Sequence, residues 1–350
     1  MEVDSGRMQE FMGRAVGDLG AAMSAALVRI GDRLGLYKAL ASAPATSDEL
    51  AQRTGTVERY VREWLANQAA SGYVMYDAAT RRYAMTPEQV MALAQEDSPV
   101  FLPGAFQILE AMWRAETTIS EAFRTGGGLA WTDQDAELFE GTERFFRPGY
   151  TAHLATEWIP ALDGAEAKLQ RGAKVADVGC GHGASTVIMA QAYPRSRFHG
   201  FDFHDKSIAV ARRRAADAGV ADRIAFEASP ATAFPGAGYD LICHFDSLHD
   251  MDDPVAAGRR ARAAIAPDGA WMIVEPYASD EVQKNLNPVG RVYYAASTML
   301  CVPNALARHG AALGAQAGEA RIREVVRAAG FAKFRRAAET PFNIVYEARP

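Results

Sequence analysis

The sequence contains a glycine-rich turn directly after a short apolar run, and this combination could bind a ligand. In residues 175–183 (VADVGCGHG), Asp177 is followed by Gly179, Gly181 and Gly183. Glycines let the backbone turn sharply and come close to a ligand. A carboxylate just before the first glycine would repel a pyrophosphate, and the GxGxG spacing departs from the GxGxxG of dinucleotide-binding turns. The turn therefore predicts a site for a cationic ligand that carries no phosphate.

A second carboxylate ends the next apolar run, RFHGFDF. Asp202 stands twenty-three residues after Gly179, where a carboxylate at a strand end can accept hydrogen bonds from both hydroxyls of a ribose. A surface turn residue is the alternative interpretation of Asp202. The neighbouring Phe203 is expected to pack beside an adenine. Together the two carboxylates favour S-adenosylmethionine, which brings a ribose, an ammonium and a sulfonium.

The elements that must position these residues alternate between short apolar runs and helical runs from about residue 173 onward. This alternation predicts a doubly wound α/β domain over residues 166–350 with a parallel sheet. Ligands of such sheets bind beyond the carboxyl ends of the strands. The last run, from residue 330, reads as two antiparallel strands that complete the sheet.

The N-terminal part is predicted to be a mainly helical winged-helix domain over residues 1–98. Apolar residues recur at helical spacing over residues 24–41, and Thr46 and Glu49 have the spacing of a capping box that opens a second helix. A third helix after Thr56 carries one apolar stripe, and two short strands around a polar turn follow it. Residues 99–165 are predicted to be a helical connector that contributes to a substrate pocket.

The winged helix could bind DNA or could serve dimerisation, and its charges favour the second interpretation. On the third helix, Arg59 and Arg62 alternate with Glu58 and Glu63, so the exposed charges largely cancel. An apolar stripe formed by Leu27, Ile30, Leu34 and Tyr37 is expected to support a homodimer.

The overall composition gives no general attraction to nucleic acid or to a membrane. The formal net charge is -6, and the polar N-terminus MEVDSGRMQE lacks the pattern of a signal peptide. The three cysteines are far apart, so neighbours form neither a disulfide framework nor a CxxC metal site. We therefore expect a cytoplasmic protein that binds neither membrane nor nucleic acid.

Several segments resemble the ordered motifs of class I S-adenosylmethionine-dependent methyltransferases. The segments are residues 177–183, Asp202 and the runs YDLICHFDSLHD and APDGAWMIVEP, which together span about half of the chain. With the winged-helix front end, the chain is similar to small-molecule O-methyltransferases and to a group of bacterial winged-helix methyltransferases. The resemblance implies a Rossmann-like domain with a mostly parallel seven-stranded sheet, S-adenosylmethionine as cofactor with S-adenosylhomocysteine as product, a small-molecule acceptor and a homodimer.

The same resemblance implies a catalytic base. The family carries a histidine in an LHDW-type motif, and SLHDMDDP places His249 there, although Met251 replaces the tryptophan. An imidazole can remove the proton of a hydroxyl at neutral pH, and a carboxylate can orient it; Glu275 matches the family glutamate that does so. Asp250 is expected to touch the substrate, and Asp246 the methionine end of the cofactor.

The sequence leaves two residue assignments open and offers a cation site as an alternative for a third group of residues. The second family glutamate could correspond to Glu319, and the residue that contacts adenine after the third strand is unassigned near Glu227. Asp252 and Asp253 could suggest a divalent cation, but capping of the helix after Pro254 is the simpler interpretation, so no metal is expected.

An unusual density of aromatic residues in the connector could line a pocket or could be ordinary packing. The large apolar residues of this region are Met112, Trp113, Trp131, Phe139, Phe145, Phe146, Tyr150 and Trp158.

The leading hypothesis is methyl transfer to a hydroxyl oxygen of a small molecule. The alternatives are a nitrogen, carbon or sulfur acceptor, another reaction on the same scaffold, and a transcriptional regulator that senses an adenosyl ligand.

Overall fold

The computed structural model describes residues 3–350, so Met1 and Glu2 of the predicted N-terminal domain lie outside the described residues. The chain forms two compact units. The first contains the described residues up to Glu110 together with Glu140–Pro148, and the second contains Ala111–Phe139 and Gly149–Pro350. The segment 99–165, predicted to be a connector, contributes to both units.

The first unit has the element order that the sequence predicts for a winged helix, with one correction. The helix predicted over residues 24–41 is in fact two helices, because Gly35 adopts a φ of 69° that interrupts it, and the first helix extends back to Ser5. The elements are α1 (Ser5–Arg33), α2 (Leu36–Ser42), α3 (Ser47–Thr54), α4 (Glu58–Ala70), β1 (Met75–Asp77), β2 (Arg82–Ala84) and α5 (Pro87–Leu93).

Local sequence signals account for the start of the third helix and for the core of this unit. Thr46 and Glu49 form the reciprocal capping box at the start of α3. Tyr37 is buried, its ring packs edge-on against Trp64 at 5.0 Å, and its hydroxyl donates a hydrogen bond to Gln68. Tyr37 is therefore not part of the dimerisation stripe that the sequence predicts from Leu27, Ile30, Leu34 and Tyr37, because its side chain fills the core of its own unit.

Ile30 and Leu34 of the predicted stripe are exposed, and helix α1 exposes further apolar residues upstream of them. Met8, Met12, Leu19 and Met23 lie at helical spacing and are 47–69% exposed. Among the described residues, α1 is the one helix whose length and composition would allow it to cross a membrane. It also carries the charged Arg14 and Asp18 near its middle, so its apolar surface is a stripe and not a full cylinder.

The second unit is built around one sheet with helices on both faces. Helices α6 (Pro103–Thr125) and α7 (Ala136–His153) contribute to both units. The remaining helices are α8 (Ala165–Arg171), α9 (Ala184–Ala192), α10 (Asp205–Asp217), α11 (Pro254–Ala264), α12 (Pro288–Ala296), α13 (Val302–Leu306) and α14 (Gly318–Ala328). The strands are β3 (Lys174–Val178), β4 (Arg197–Asp202), β5 (Ile224–Ala228), β6 (Tyr239–Phe245), β7 (Ile265–Pro276), β8 (Lys333–Glu339) and β9 (Asn343–Arg349).

The strand order is β5-β4-β3-β6-β7-β9-β8. Strands β3 to β7 pair in parallel, and β9 pairs antiparallel with both β7 and β8. This confirms the predicted mostly parallel seven-stranded sheet with a terminal antiparallel pair. The strand order reverses between β3 and β6, and sheets of this class bind ligands at that reversal.

Apolar packing holds the carboxyl ends of these strands in place. The fully buried Trp271 on β7 packs against Phe331 at 4.9 Å, and its ring N–H donates to His244 on β6 at 2.9 Å. Burying one such large side chain is worth about 2–3 kcal/mol. Buried backbone amides of neighbouring strands pair with each other, and a shift of this pairing by one residue would turn the apolar side chains away from the core. The packing therefore also fixes the register in which the strands present their last residues.

Candidate active site

At one edge of the sheet, four strands of the second unit carry a carboxylate in their last two residues or in the residue that follows. Asp177 lies near the end of β3, Asp202 ends β4, Asp246 follows β6, and Glu275 lies near the end of β7. The structure therefore brings together residues that are separated by up to 98 positions, as Asp177 and Glu275 are. These are the strand ends where the sequence predicts the ligand to bind.

Asp177 is buried, and only one of its two carboxylate oxygens accepts hydrogen bonds from the protein. Its Oδ2 accepts hydrogen bonds from the hydroxyls of Ser185 and Thr186, both at 2.6 Å, at the start of α9. Its Oδ1 is buried and has no hydrogen-bond partner within residues 3–350. Burial raises the pKa of Asp177 to about 6, and the nearby charge of Asp202 adds to the shift. An orphaned carboxylate oxygen of this kind suits a cationic hydrogen-bond donor.

The glycine turn after β3 is held against the adjacent strand. The backbone N–H of Gly179 donates to the carbonyl of Phe201 at 2.7 Å, with a φ of 77° that favours glycine. Gly181 also has a positive φ, of 51°, and a Cβ at this position would meet nothing within 4 Å. The backbone at Gly181 therefore faces open space that a ligand can approach. Gly183, with a φ of 77°, is the N-cap of α9.

Asp202 is fixed by two backbone amides. The N–H of Gly181 donates to its Oδ2, and the N–H of His204 donates to its Oδ1, both at 2.9 Å. Each oxygen keeps a second lone pair, so two ligand hydroxyls can still be accepted. Phe203 is exposed, and the guanidinium of Arg308 lies 5.2 Å from the centre of its ring. A flat group could pack beside this ring, as the sequence predicts, but the structure also provides a protein partner for it.

Asp246 sits in a strained conformation that its neighbours stabilise. Its φ is 47°, which is rare for a residue other than glycine. The hydroxyl of Tyr150 donates to its Oδ2 and the amide of Asn343 donates to its Oδ1, both at 2.8 Å. Burial raises the pKa of Asp246 to about 8, and the nearby charge of Glu275 adds to the shift. Both oxygens of Asp246 are thus already engaged by protein groups.

His249 and Glu275 form a close pair. His249 lies in a short 3₁₀ turn after β6, and its Nδ1 is 2.5 Å from the carboxylate of Glu275 on β7. The other carboxylate oxygen of Glu275 accepts the backbone N–H of Leu248 at 3.2 Å. Glu275 therefore fixes both the 3₁₀ turn, through the backbone N–H of Leu248, and the imidazole ring of His249. Burial alone would lower the pKa of His249, but the carboxylates Asp250 and Glu275 outweigh it and raise the pKa well above its ordinary value.

Asp250 lies on the opposite side of the same imidazole. Its Oδ1 is 3.2 Å from Nε2 of His249, although this contact falls outside hydrogen-bond geometry. The backbone carbonyl of Asp250 accepts the side-chain amide of Asn304 at 2.8 Å, and Asn304 also accepts the N–H of Trp131. Asn304 on α13 thus connects the turn that carries His249 to the backbone of Trp131.

Two carboxylates that the sequence offers as candidate site residues lie away from the His249 to Glu275 pair. Glu319 on α14 pairs with Arg323 and Arg336, and so belongs to an ion-pair network near the surface. Asp253 caps α11 by accepting the N–H of Ala256 at 2.8 Å, as its position before Pro254 predicts.

Four residues of the site were not assigned to it from the sequence. Tyr150 and Asn343 hold Asp246, Asn304 holds the turn of Asp250, and Cys301 lies beside His249 and Asp250. Tyr150 stands among many aromatic residues, and the other three lie in helical or strand segments with no motif. No local pattern in the sequence distinguishes these residues from ordinary packing residues.

Two families match the chain. Residues 169–330 match a family described as a methyltransferase domain, and residues 22–95 match an Rv2258c-like winged HTH domain. The chain is 32% identical over 141 residues to 27-O-demethylrifamycin SV methyltransferase of Amycolatopsis mediterranei, covering 40% of this chain and 46% of the relative. It is 28% identical over 273 residues to mitomycin biosynthesis 6-O-methyltransferase of Streptomyces lavendulae, covering 73% and 75%.

The chain spans about half the length of the first curated relatives that it matches. Among solved structures, it is similar to human N-acetylserotonin methyltransferase in complex with SAM, with a TM-score of 0.68 and 16% identity. That similarity covers 99% of this chain and 98% of the other. At this identity the similarity concerns the fold.

Proposed function

We propose that this chain, which joins a methyltransferase domain to a winged-helix domain, methylates a hydroxyl oxygen of a small molecule at the expense of S-adenosylmethionine. The observation that carries the proposal is the His249 to Glu275 pair, 2.5 Å apart, at the same sheet edge as Asp177 and Asp202. The name of the mitomycin relative states O-methyl transfer, and that of the other relative states a methyltransferase for 27-O-demethylrifamycin SV.

The residues around the glycine turn fit the cofactor. The orphaned Oδ1 of Asp177 can accept from an ammonium, the open space at Gly181 admits a ligand, and Asp202 retains lone pairs for ribose hydroxyls. The cofactor supplies a methyl group activated on a sulfonium. We further propose that Phe203 lies beside the adenine, and that Asp246 shapes the methionine end through its contacts with Tyr150.

His249 is proposed as the base that takes the proton of the acceptor hydroxyl. Glu275 engages Nδ1, which leaves Nε2 as the nitrogen that can accept a proton. Asp250 lies against Nε2 without hydrogen-bond geometry, so an entering hydroxyl can take its place. A neutral amine acceptor would not need such an oriented base, and this favours oxygen over nitrogen as the acceptor atom.

The reaction can be tested without knowing the natural acceptor. The purified chain is incubated with S-adenosylmethionine and a panel of phenols, aliphatic alcohols, amines and thiols, and S-adenosylhomocysteine is quantified by mass spectrometry. We expect product only in the presence of a hydroxyl compound, with a mass gain of one methylene group. Turnover restricted to amines or thiols would reject the oxygen assignment, and a compound converted without S-adenosylhomocysteine would reject methyl transfer.

Binding of S-adenosylhomocysteine is expected to weaken as the pH falls below about 6. The pKa of Asp177 is raised to about 6 by burial, so below this pH a proton removes the charge that attracts the ligand ammonium. The stability of the ligand-free protein depends on pH in the opposite direction. Burial of the charged carboxylate lowers the free energy of unfolding, and this loss is recovered as the pH falls from about 6, the folded-state pKa, toward about 4, the unfolded-state pKa. Calorimetric titrations from about pH 5 to about pH 8 measure the first effect. A constant affinity across this range would contradict it.

The winged helix is proposed to serve assembly and not DNA binding. On α4, Arg59 pairs with Glu63 and Arg62 pairs with Glu58, so these arginines are already neutralised. At the hairpin, Arg82 forms an ion pair with Glu49. A DNA-binding surface needs basic groups that are available to phosphates. We therefore propose a small-molecule acceptor and a second copy of the chain as partners, with no role for nucleic acid or membrane.

Charging the apolar stripe of α1 is expected to convert a homodimer into a monomer. Leu19 and Met23 are 61% and 69% exposed, and an exposed stripe of this kind is typical of an interface. The double variant Leu19→Glu, Met23→Glu would place charges in the buried interface, and sedimentation equilibrium would then show the monomer mass. Tyr60→Glu, at an exposed position on α4, is the matched control and should remain dimeric. A monomeric native chain, or an unchanged mass of the double variant, would reject the interface.

A cytoplasmic location is proposed together with this function. Cys180, Cys243 and Cys301 are all free and buried, as a reducing compartment allows.

A further inference from the structure

Three metal-binding groups of different chemistry converge at the base. They are a ring nitrogen of His249, a carboxylate oxygen of Asp250 and Sγ of Cys301, which all lie within 4.8 Å of one another. His249 and Asp250 belong to the turn after β6, whereas Cys301 ends a π-helical turn, Ser297–Cys301, that precedes α13. Such π-turns are frequent at functional sites. The fold therefore assembles a nitrogen, an oxygen and a sulfur donor from two distant segments.

The separations suit a tetrahedral zinc site. Zinc binds histidine nitrogen and carboxylate oxygen at about 2.0–2.2 Å and thiolate sulfur at about 2.3 Å, which places neighbouring donors about 3.3–3.6 Å apart. Nε2 of His249 and Oδ1 of Asp250 are already 3.2 Å apart. Sγ of Cys301 lies within 4.8 Å of a ring nitrogen of His249 and of a carboxylate oxygen of Asp250, so a shift of about 1.2–1.5 Å at most brings it to these separations.

The surroundings of these donors are also those of a metal site. Histidine ligands usually donate their other ring nitrogen to a carboxylate, which fixes the ring and makes it a better ligand. Glu275 occupies this position at Nδ1 of His249. Oδ1 of Asp250 is buried, and its contact with Nε2 of His249 at 3.2 Å lacks hydrogen-bond geometry, so both atoms can turn toward a cation placed between them. Asn304 holds the backbone of Asp250 in place.

We infer that His249, Asp250 and Cys301 bind a thiophilic divalent cation such as Zn²⁺, and that the bound cation inhibits the enzyme. A sulfur donor selects zinc over magnesium, which prefers oxygen ligands only. The cation takes the lone pair of Nε2 that would otherwise accept the proton of the acceptor. The inhibitory half of this inference rests on the proposed function, whereas the binding half does not.

Cobalt, a spectroscopic substitute for zinc, tests the binding half on the full chain. We expect Co²⁺ to produce a thiolate-to-cobalt charge-transfer band in the near ultraviolet and the visible bands of a tetrahedral site, both abolished by an equivalent of Zn²⁺. Cys301→Ser should lose the charge-transfer band. Cys243→Ser, at a buried cysteine on β6, is the matched control and should keep it. A native chain without the band, or a Cys301→Ser variant that keeps it, would overturn the site.

Zinc titrations separate the remaining outcomes. Glu275→Gln should weaken Zn²⁺ binding by about 10–100-fold, as expected when the carboxylate behind a histidine ligand is lost. S-Adenosylhomocysteine binding by each variant reports whether the fold is intact, without any turnover. In the native chain, Zn²⁺ but not Mg²⁺ should suppress methyl transfer, and a chelator should restore it. Zinc that binds at this site without slowing turnover would overturn the inhibitory half, and a chain that shows the cobalt band but no methyl transfer would reject only the proposed function.

Discussion

Replacement of His249 by alanine is expected to lower kcat by about 10²–10⁴-fold, the usual contribution of a general base. The proposed cofactor contacts at Asp177 and Asp202 belong to other strands, so the affinity for S-adenosylhomocysteine should stay unchanged. Glu275→Gln should cause a comparable loss with the ring still present. Its amide would donate to Nδ1 and so place the ring proton on Nε2, where the acceptor proton must arrive. Single-turnover rates and calorimetric binding measure the two effects separately.

His309→Asn provides the matched control for this prediction. His309 is exposed and has a φ of 56°, a backbone conformation that asparagine tolerates well. Its turnover should equal that of the native chain. If His249→Ala kept native turnover with the true acceptor, the assignment of the base would be wrong, and Asp250 would be the next group to replace. Loss of S-adenosylhomocysteine binding in His249→Ala would instead indicate a damaged fold.

Asp177→Asn is expected to weaken S-adenosylhomocysteine binding by about 10–100-fold. A hydrogen bond to a charged group contributes about 1.5–3 kcal/mol, and the orphaned Oδ1 is the atom positioned to accept it. The asparagine oxygen can still accept from Ser185 and Thr186, so the local structure should persist. Because the charged carboxylate is costly to bury, the ligand-free variant should unfold at an equal or higher denaturant concentration at neutral pH.

These opposite effects on binding and stability distinguish a ligand-binding carboxylate from a structural one. A purely structural Asp177 would lose stability on replacement, and the affinity would change little. Asp222→Asn, at an exposed carboxylate in the turn before β5, is the control and should change neither quantity by a measurable amount. In Asp177→Asn, the loss of affinity between about pH 7 and about pH 5 should also disappear, because the group that titrates near pH 6 is gone.

The relation between His249 and its two carboxylates refines the family pattern. The resemblance implies a second glutamate that could be Glu319, but that side chain pairs with Arg323 and Arg336. The second carboxylate at the imidazole is instead Asp250, the next residue in the chain. His249 and Asp250 are consecutive residues of one 3₁₀ turn, in which successive side chains project about 120° apart around the helix axis.

The sequence by itself determined the features that depend on local patterns. The capping box of Thr46 and Glu49, the glycine turn after β3, the alternation of strands and helices and the cap of α11 by Asp253 all follow from residues a few positions apart. Such signals act through short-range sterics and hydrogen bonds, so they can be recognised before any tertiary contact is known. The rule that ligands bind at strand ends then pointed to Asp177 and Asp202.

Only the tertiary structure decided which distant residues complete the site. Tyr150 and Asn343 are 193 positions apart, yet both donate hydrogen bonds to Asp246. Cys301 and Asn304 reach the turn of His249 from the insertion after β7. Their side chains carry no periodic or motif signal, because their neighbours come from other segments. Tyr37 was assigned to a dimerisation stripe for the same reason: an apolar stripe shows that a face is buried, but only packing decides whether its own unit or a partner covers it.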